Sequence, residues 1–194
     1  AFARQSRILI VPGGGRFADL VREERRRLRL DEATAHRMAL RGMDQFGLLI
    51  AAFDPAARPA VTIAAAARLA AAGRLPILLA TPMIEETPDL EPTFRLTSDS
   101  IAAHIATRAR APCRILLKST AGIGRAIDDA SAARRLARRG IVDPLFPDLL
   151  LPGTEFWVLN ARRADQRAAL STALKARRRS GSRRPLRPPP LKSP

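Results

Sequence analysis

Three groups of residues in this chain have the types and spacing to do chemistry. The first is Ile8-Leu9-Ile10-Val11-Pro12-Gly13-Gly14-Gly15-Arg16-Phe17-Ala18-Asp19-Leu20-Val21-Arg22: an apolar run, a Pro-Gly-Gly-Gly break, then Phe17, Leu20, Val21 and Leu28 at helical spacing. Glycine lets backbone approach a ligand closely, and a helix that follows aims unpaired N–H groups and the positive end of its dipole at the loop. Gly13, Gly14 and Gly15 therefore read either as an anion-binding loop or as a permissive strand-to-helix turn. Neither G-x-x-x-x-G-K-[ST] nor G-x-G-x-x-G spacing is present. The second group is Thr97-Ser98-Asp99-Ser100, which opens an Ala/Ile-rich helix; its simplest role is a cap, supplied by Ser98 or Asp99. The third is Lys118-Ser119-Thr120-Ala121-Gly122. Lys118 is the only lysine before residue 175, and it ends an apolar run where phosphate-handling α/β proteins place a compact cation; alone, it is equally a surface charge.

The elements that must hold these groups follow from periodicity. Strands are expected at residues 8–11, 75–80, 114–118 and 155–160, and helices at about 17–30, 31–50, 62–72, 98–106, 131–140 and 164–176. The second helix starts at Asp31 and carries Ala35, Met38, Ala39, Met43, Phe46 and Ile50 on one stripe. His36 lies beside that stripe and reads as a partly buried, hydrogen-bonded histidine. Residues 81–97, with Pro82, Pro88 and Pro92 among Glu85, Glu86, Asp89 and Glu91, read as a loop, either a lid or a solvated connection. The order of elements predicts an α/β domain whose largely parallel sheet is covered by helices on both faces. In such a sheet the three groups share one edge, which favours phosphoryl chemistry over the separate structural roles.

Composition bounds the partners. The 194 residues carry 34 Lys and Arg against 18 Asp and Glu, a net charge of +16, almost all of it from Arg in an Ala- and Pro-rich background. No aromatics are interleaved with the basic residues and tyrosine is absent, so a base-stacking nucleic-acid platform is disfavoured. The single cysteine, Cys113, forms no internal disulfide and fits a cytoplasmic protein; it reads as core. No run of about 18 apolar residues predicts a membrane span. Residues 1–176 are expected to form the domain, and 177–194, rich in Arg, Ser and Pro, a disordered basic tail.

Three runs together, 11–22, then Ala35-His36-Arg37-Met38-Ala39-Leu40 with Met43-Asp44-Gln45-Phe46-Gly47, then 97–103, resemble the amino acid kinase superfamily of aspartate, glutamate, acetylglutamate and uridylate kinases. Within it they look most like the branch that phosphorylates an aminomethylfuran phosphate in methanofuran- or tetrahydromethanopterin-type cofactor synthesis. The resemblance covers about residues 4–175. It implies a three-layer fold and ATP- and Mg²⁺-dependent transfer to a small phosphate- or carboxylate-bearing metabolite. By that likeness Gly13, Gly14 and Gly15, with Arg16, Ser98 and Ser100, would hold the acceptor and phosphate, and Asp99 and Lys118 would be catalytic. Lys118, Ser119, Thr120 and Gly122 would hold the nucleotide, with Ala121 where relatives often carry Asp; no residue is assigned to a metal. Catalysis would be positioning and charge neutralisation around an in-line transfer.

Family members open with a further strand, a Lys-x-Gly-Gly loop and a first helix, whereas here the first glycine loop is the one expected second. The expectation is either a piece of an active kinase or a degenerate, nucleotide-binding or storage-type member; a third reading is a polyanion binder using the basic tail. Nucleotide and small molecule are the expected partners, without membrane or nucleic acid. The face bearing Met38, Met43 and Phe46 serves as core or as a homo-oligomer interface.

Overall fold

The structure is a computed structural model and describes residues 8–119, 126–127, 130–150, 156–168 and 170–172. Residues 177–194, and Thr120, Ala121 and Gly122 of the expected nucleotide loop, lie outside the described residues. The chain divides into two units, Ala1–Ile105 and Ala106–Pro194.

The first unit is built on parallel strands. Strand β1 (Ala57–Ala60) pairs with β2 (Leu75–Leu78), Ala57 opposite Leu75 and Ala60 opposite Leu78. On the other side of β2 the expected strand at 8–11 contributes a single bridge, Ile10 with Ile77: the Ile10 N–H donates to the Pro76 carbonyl at 3.1 Å and the Leu78 N–H to the Ile10 carbonyl at 2.8 Å. The ladder stops there for a chemical reason. In a parallel pair the next bonds would need an N–H from Pro76 toward residue 8 and one from Pro12 toward residue 78, and proline has none. β1 carries Pro59 and two outward residues in a four-residue run, so it has no strand signature; proline is tolerated because β1 is an edge.

Helix α1 (Gly15–Leu28) ends on Arg29 in the left-handed region, φ 54°, and two residues later the Asp31 carboxylate caps α2 (Glu32–Ala52) by accepting the Thr34 N–H at 2.8 Å. Helix α2 packs on this sheet, and α1 packs on α2. The expected α1 stripe is corrected: Ala18 and Val21 are buried, whereas Phe17, Leu20 and Leu28 are exposed. On α2 the inward face is Ala35, His36, Leu40, Met43 and Gly47, and Met38 points out. The reason is a close crossing. A Cβ on Gly42 would stand 3.1 Å from the Ala18 nitrogen and 3.2 Å from the Phe17 carbonyl carbon, and one on Gly47 would stand 3.0 Å from Pro12 Cγ. Backbone contact at these two glycines turns the helix so that the Gly42/Gly47 side, not Met38, faces inward.

Helix α3 (Ile63–Ala71) begins where expected, with Thr62 Oγ1 accepting the Ala65 N–H at 3.1 Å, and stops before Gly73, φ +72°. After β2 the expected loop opens with a short helix, α4 (Thr81–Glu85), with Pro82 in its first turn where no N–H is needed. Helix α5 (Ser98–Arg108) follows, its Ile101 N–H bonding the Thr97 carbonyl at 3.0 Å. The cap position therefore belongs to Thr97; Ser98 and Asp99 lie inside the first turn.

In the second unit β3 (Arg114–Lys118) pairs in parallel with β5 (Phe156–Asn160), and β4 (Ala126–Ile127) pairs antiparallel on the far side of β5. β5 is the buried centre, with Trp157 fully enclosed. β3, expected to be buried, is an edge strand that buries Leu116 and leaves Leu117 60% exposed. Helix α6 (Ala130–Arg138) ends before Gly140, φ +65°, and Phe146 in the 3-10 turn Phe146–Leu149 meets Phe156 edge-on, centroids 4.9 Å apart. Cys113 packs against the Trp157/Leu159 core, as expected. Residues 164–168 and 170–172 are helical. The architecture is mixed α/β with short, mainly parallel strands in two small sheets. Among the described residues no helix is long and apolar enough to cross a membrane.

Replacing a helical glycine by alanine ordinarily gains up to about 1 kcal/mol. At Gly42 the new methyl meets α1 backbone, which cannot rotate away, so Gly42→Ala is expected to destabilise by about 1–3 kcal/mol, measured as a lower urea midpoint at unchanged m-value.

Candidate functional site

The glycine loop and the start of α5 meet within the first unit. Gly13 lies against Ser98: a Cβ built on Gly13 would stand 3.6 Å from Ser98 Oγ. Gly14 occupies the cap position of α1, packed so closely on Ala18 that its Cβ would fall 2.2 Å from the Ala18 methyl, and it offers no side chain to the first-turn N–H groups. The contrast within the same unit is informative. α2 and α3 are capped by their own Asp31 and Thr62, whereas α1 begins with backbone alone. Its first turn keeps the unpaired donors and dipole end that stabilise an anion.

A cleft runs beside this junction, lined along α1 by Gly14, Ala18 and Arg22, along α2 by His36, Leu40 and Met43, and at the entry to α5 by Thr97, Ser98 and Ile101. Its free space is about 30 Å³, which admits a water and not a metabolite. The expected site residues divide accordingly. Gly13, Gly14 and Ser98 come together. Gly15, φ +50°, turns against the Phe46 ring, 3.2 Å from its would-be Cβ, and Arg16 is exposed. Asp99 and Ser100 are buried, at 7% and 0% exposure, on faces of α5 that do not line the cleft. In the second unit Lys118 is half-buried at the carboxyl end of β3, opposite Asn160, and its carbonyl accepts the Ala161 N–H at 2.9 Å; Ser119 next to it is exposed.

Sequence reasoning missed Arg22, Met43 and Phe94 as cleft residues. The signal was present for Arg22, which follows Gly14 and Ala18 at intervals of four on one helix face. It was absent for Phe94, which reaches the cleft from an irregular segment. Arg22 also bonds the Asp19 carboxylate at 2.6 Å on the solvent side. His36 is buried at 4% exposure, and burial holds its pKa below the ordinary value, against a hydrogen bond to the Thr93 backbone and the carboxylates of Glu32 and Glu85. Its ring is thus neutral near neutrality. Among the described residues no group of three or more His, Cys, Asp or Glu side chains could hold a metal.

The His36 shift makes stability depend on pH with a definite sign. The unfolded chain takes up the proton at about pH 6.5 and the native protein only at lower pH. The stabilisation is therefore complete above pH 6.5 and lost as pH falls toward the native pKa, at up to about 1.4 kcal/mol per pH unit. Urea midpoints at pH 8.0 and pH 5.5 are expected to separate more for the wild type than for His36→Gln; equal separations would remove this account. Compared with known proteins, the chain matches no family model and no curated protein.

Proposed function

We propose that the chain is an ATP-dependent phosphotransferase of the amino acid kinase type, with a three-layer α/β fold, acting on a small metabolite that bears a phosphate or carboxylate. The observation that carries this reading is the junction of Gly13 with Ser98, which sets the start of α5 beside an α1 whose first turn no side chain caps. Backbone donors fixed in this way cost no reorganisation when charge arrives, which is the form of stabilisation phosphoryl transfer requires. Gly13 and Gly14 would take the anion on main-chain N–H groups, Ser98 would orient it, and Arg22 on the same face of α1 would add positive charge. ATP supplies the phosphoryl group, and Mg²⁺ spreads the charge of its phosphates.

A second reading is a nucleotide binder that transfers nothing. It is favoured by the position of Asp99, buried off the cleft and not facing it.

Titration of labelled ATP with and without Mg²⁺ tests the premise common to both, and saturable binding is expected. Absence of binding would sink both. Gly13→Ala is the informative variant, because its methyl makes ordinary contacts of 3.6 and 3.9 Å with Ser98 and leaves the fold intact. It should weaken inorganic phosphate binding about tenfold by standing where the anion approaches the loop. Under the kinase reading Arg22→Ala lowers phosphoryl transfer at least about tenfold; under the binding reading no transfer is seen in either protein.

A further inference from the structure

The stretch that crosses the cleft is poorly anchored. Ile84 and Leu96 are buried, at 4% and 2% exposure, but no residue from Glu85 to Arg95 is. What holds this stretch near its far end is one cluster on α1 and α2. The Phe94 N–H donates to Glu32 Oε1 at 3.0 Å, the Arg25 guanidinium lies over the Phe94 ring at 4.8 Å, and Arg25 and Glu32 approach to 3.8 Å. Beside them the Thr93 backbone bonds the buried His36 ring. At its near end the Arg41 guanidinium grips Glu85 at 2.6 and 3.4 Å. Exposed pairs of this kind are weak in water, and a segment with few buried apolar contacts belongs to the low-stability end of a fold.

Phe94 and Leu96 are themselves walls of the cleft, together with Gly14, Arg22, His36 and Ser98. With the stretch in place the free space is only about 30 Å³. We propose that residues 86–95 are a lid over this cleft, latched by Glu32 and Arg25 through Phe94, and that the structure shows it closed. Ile84 and Leu96 are the hinges. Release of Phe94 uncovers His36, Arg22 and the uncapped start of α1 together, so a ligand too large for the closed cleft enters only after the latch opens. The purpose of the lid, though not its motion, rests on the anion-binding reading above.

The chain contains two histidines, His36 and His104, which supply both a reporter and an internal control. Diethyl pyrocarbonate acylates the neutral imidazole, and peptide mapping gives the rate at each histidine in the full chain. Glu32→Ala and Phe94→Ala are each expected to raise the His36 rate about five- to tenfold, the loss of one charge-assisted hydrogen bond or one cation–π contact, with the His104 rate unchanged. An unchanged His36 rate in both variants, or equal acceleration at both histidines, would overturn the lid. Inorganic phosphate at matched ionic strength is expected to slow His36 modification in Phe94→Ala. Acceleration by the variants without protection by phosphate would keep the lid and remove the anion-binding reading instead.

Discussion

Two hydrogen bonds at Ile10 decide where the candidate site can be. They tie the first described residues to β2, and the two prolines that bracket them, Pro76 in the strand and Pro12 after it, forbid any longer pairing. The chain must therefore leave the sheet at Pro12, whose ring packs against the bare backbone of Gly47 on α2. From there it turns through Gly13–Gly15 into α1, which lies on α2 at the contact distance that only Gly42 permits. The direction of α1, and with it the uncapped first turn, follows from that chain of contacts.

The basic charge has less reach than its sum implies. On α1, Arg22 bonds Asp19 at 2.6 Å, Arg27 bonds Glu24 at 3.0 Å, and Arg25 is engaged by Phe94 and Glu32. Each exposed pair contributes about 0–1 kcal/mol, so these residues do little for stability. What they do is local. They keep opposite charges interleaved along a helix whose last turn, with Arg25, Arg26 and Arg27, also opposes the negative end of its dipole. Arg22 is the exception in position: it faces the cleft as well as Asp19.

The acidic segment acquires its meaning from the same geometry. As a sequence, residues 81–97 are three prolines among carboxylates. As structure, Pro82 starts a short helix, Glu85 grips Arg41, and the main chain of Thr93 and Phe94 is held by side chains of α2. The partners lie as far as 62 residues apart in sequence.

Local signals were legible where a single side chain or backbone preference decides the outcome. Asp31 and Thr62 cap helices, Gly73 and Gly140 end them, and residues 156–160 form a strand, all from residues within a turn or two. The glycine loop and the Ser98 turn were singled out by local residue types, but one shared sheet edge is not what relates them: Ser98 follows an irregular segment, and Lys118, expected on the same edge, belongs to the other sheet. What the sequence by itself could not determine was which of several apolar residues turns inward. Met38, Phe17 and Leu117 fit helical or strand spacing yet stay exposed, because glycine-mediated backbone contact and edge position set the rotation of α2, α1 and β3. Only the tertiary structure decided that β1 exists, that Asp99 lies off the cleft, and that Phe94 lines it. Those outcomes depend on pairing and packing between segments distant in the chain, and no local propensity encodes them.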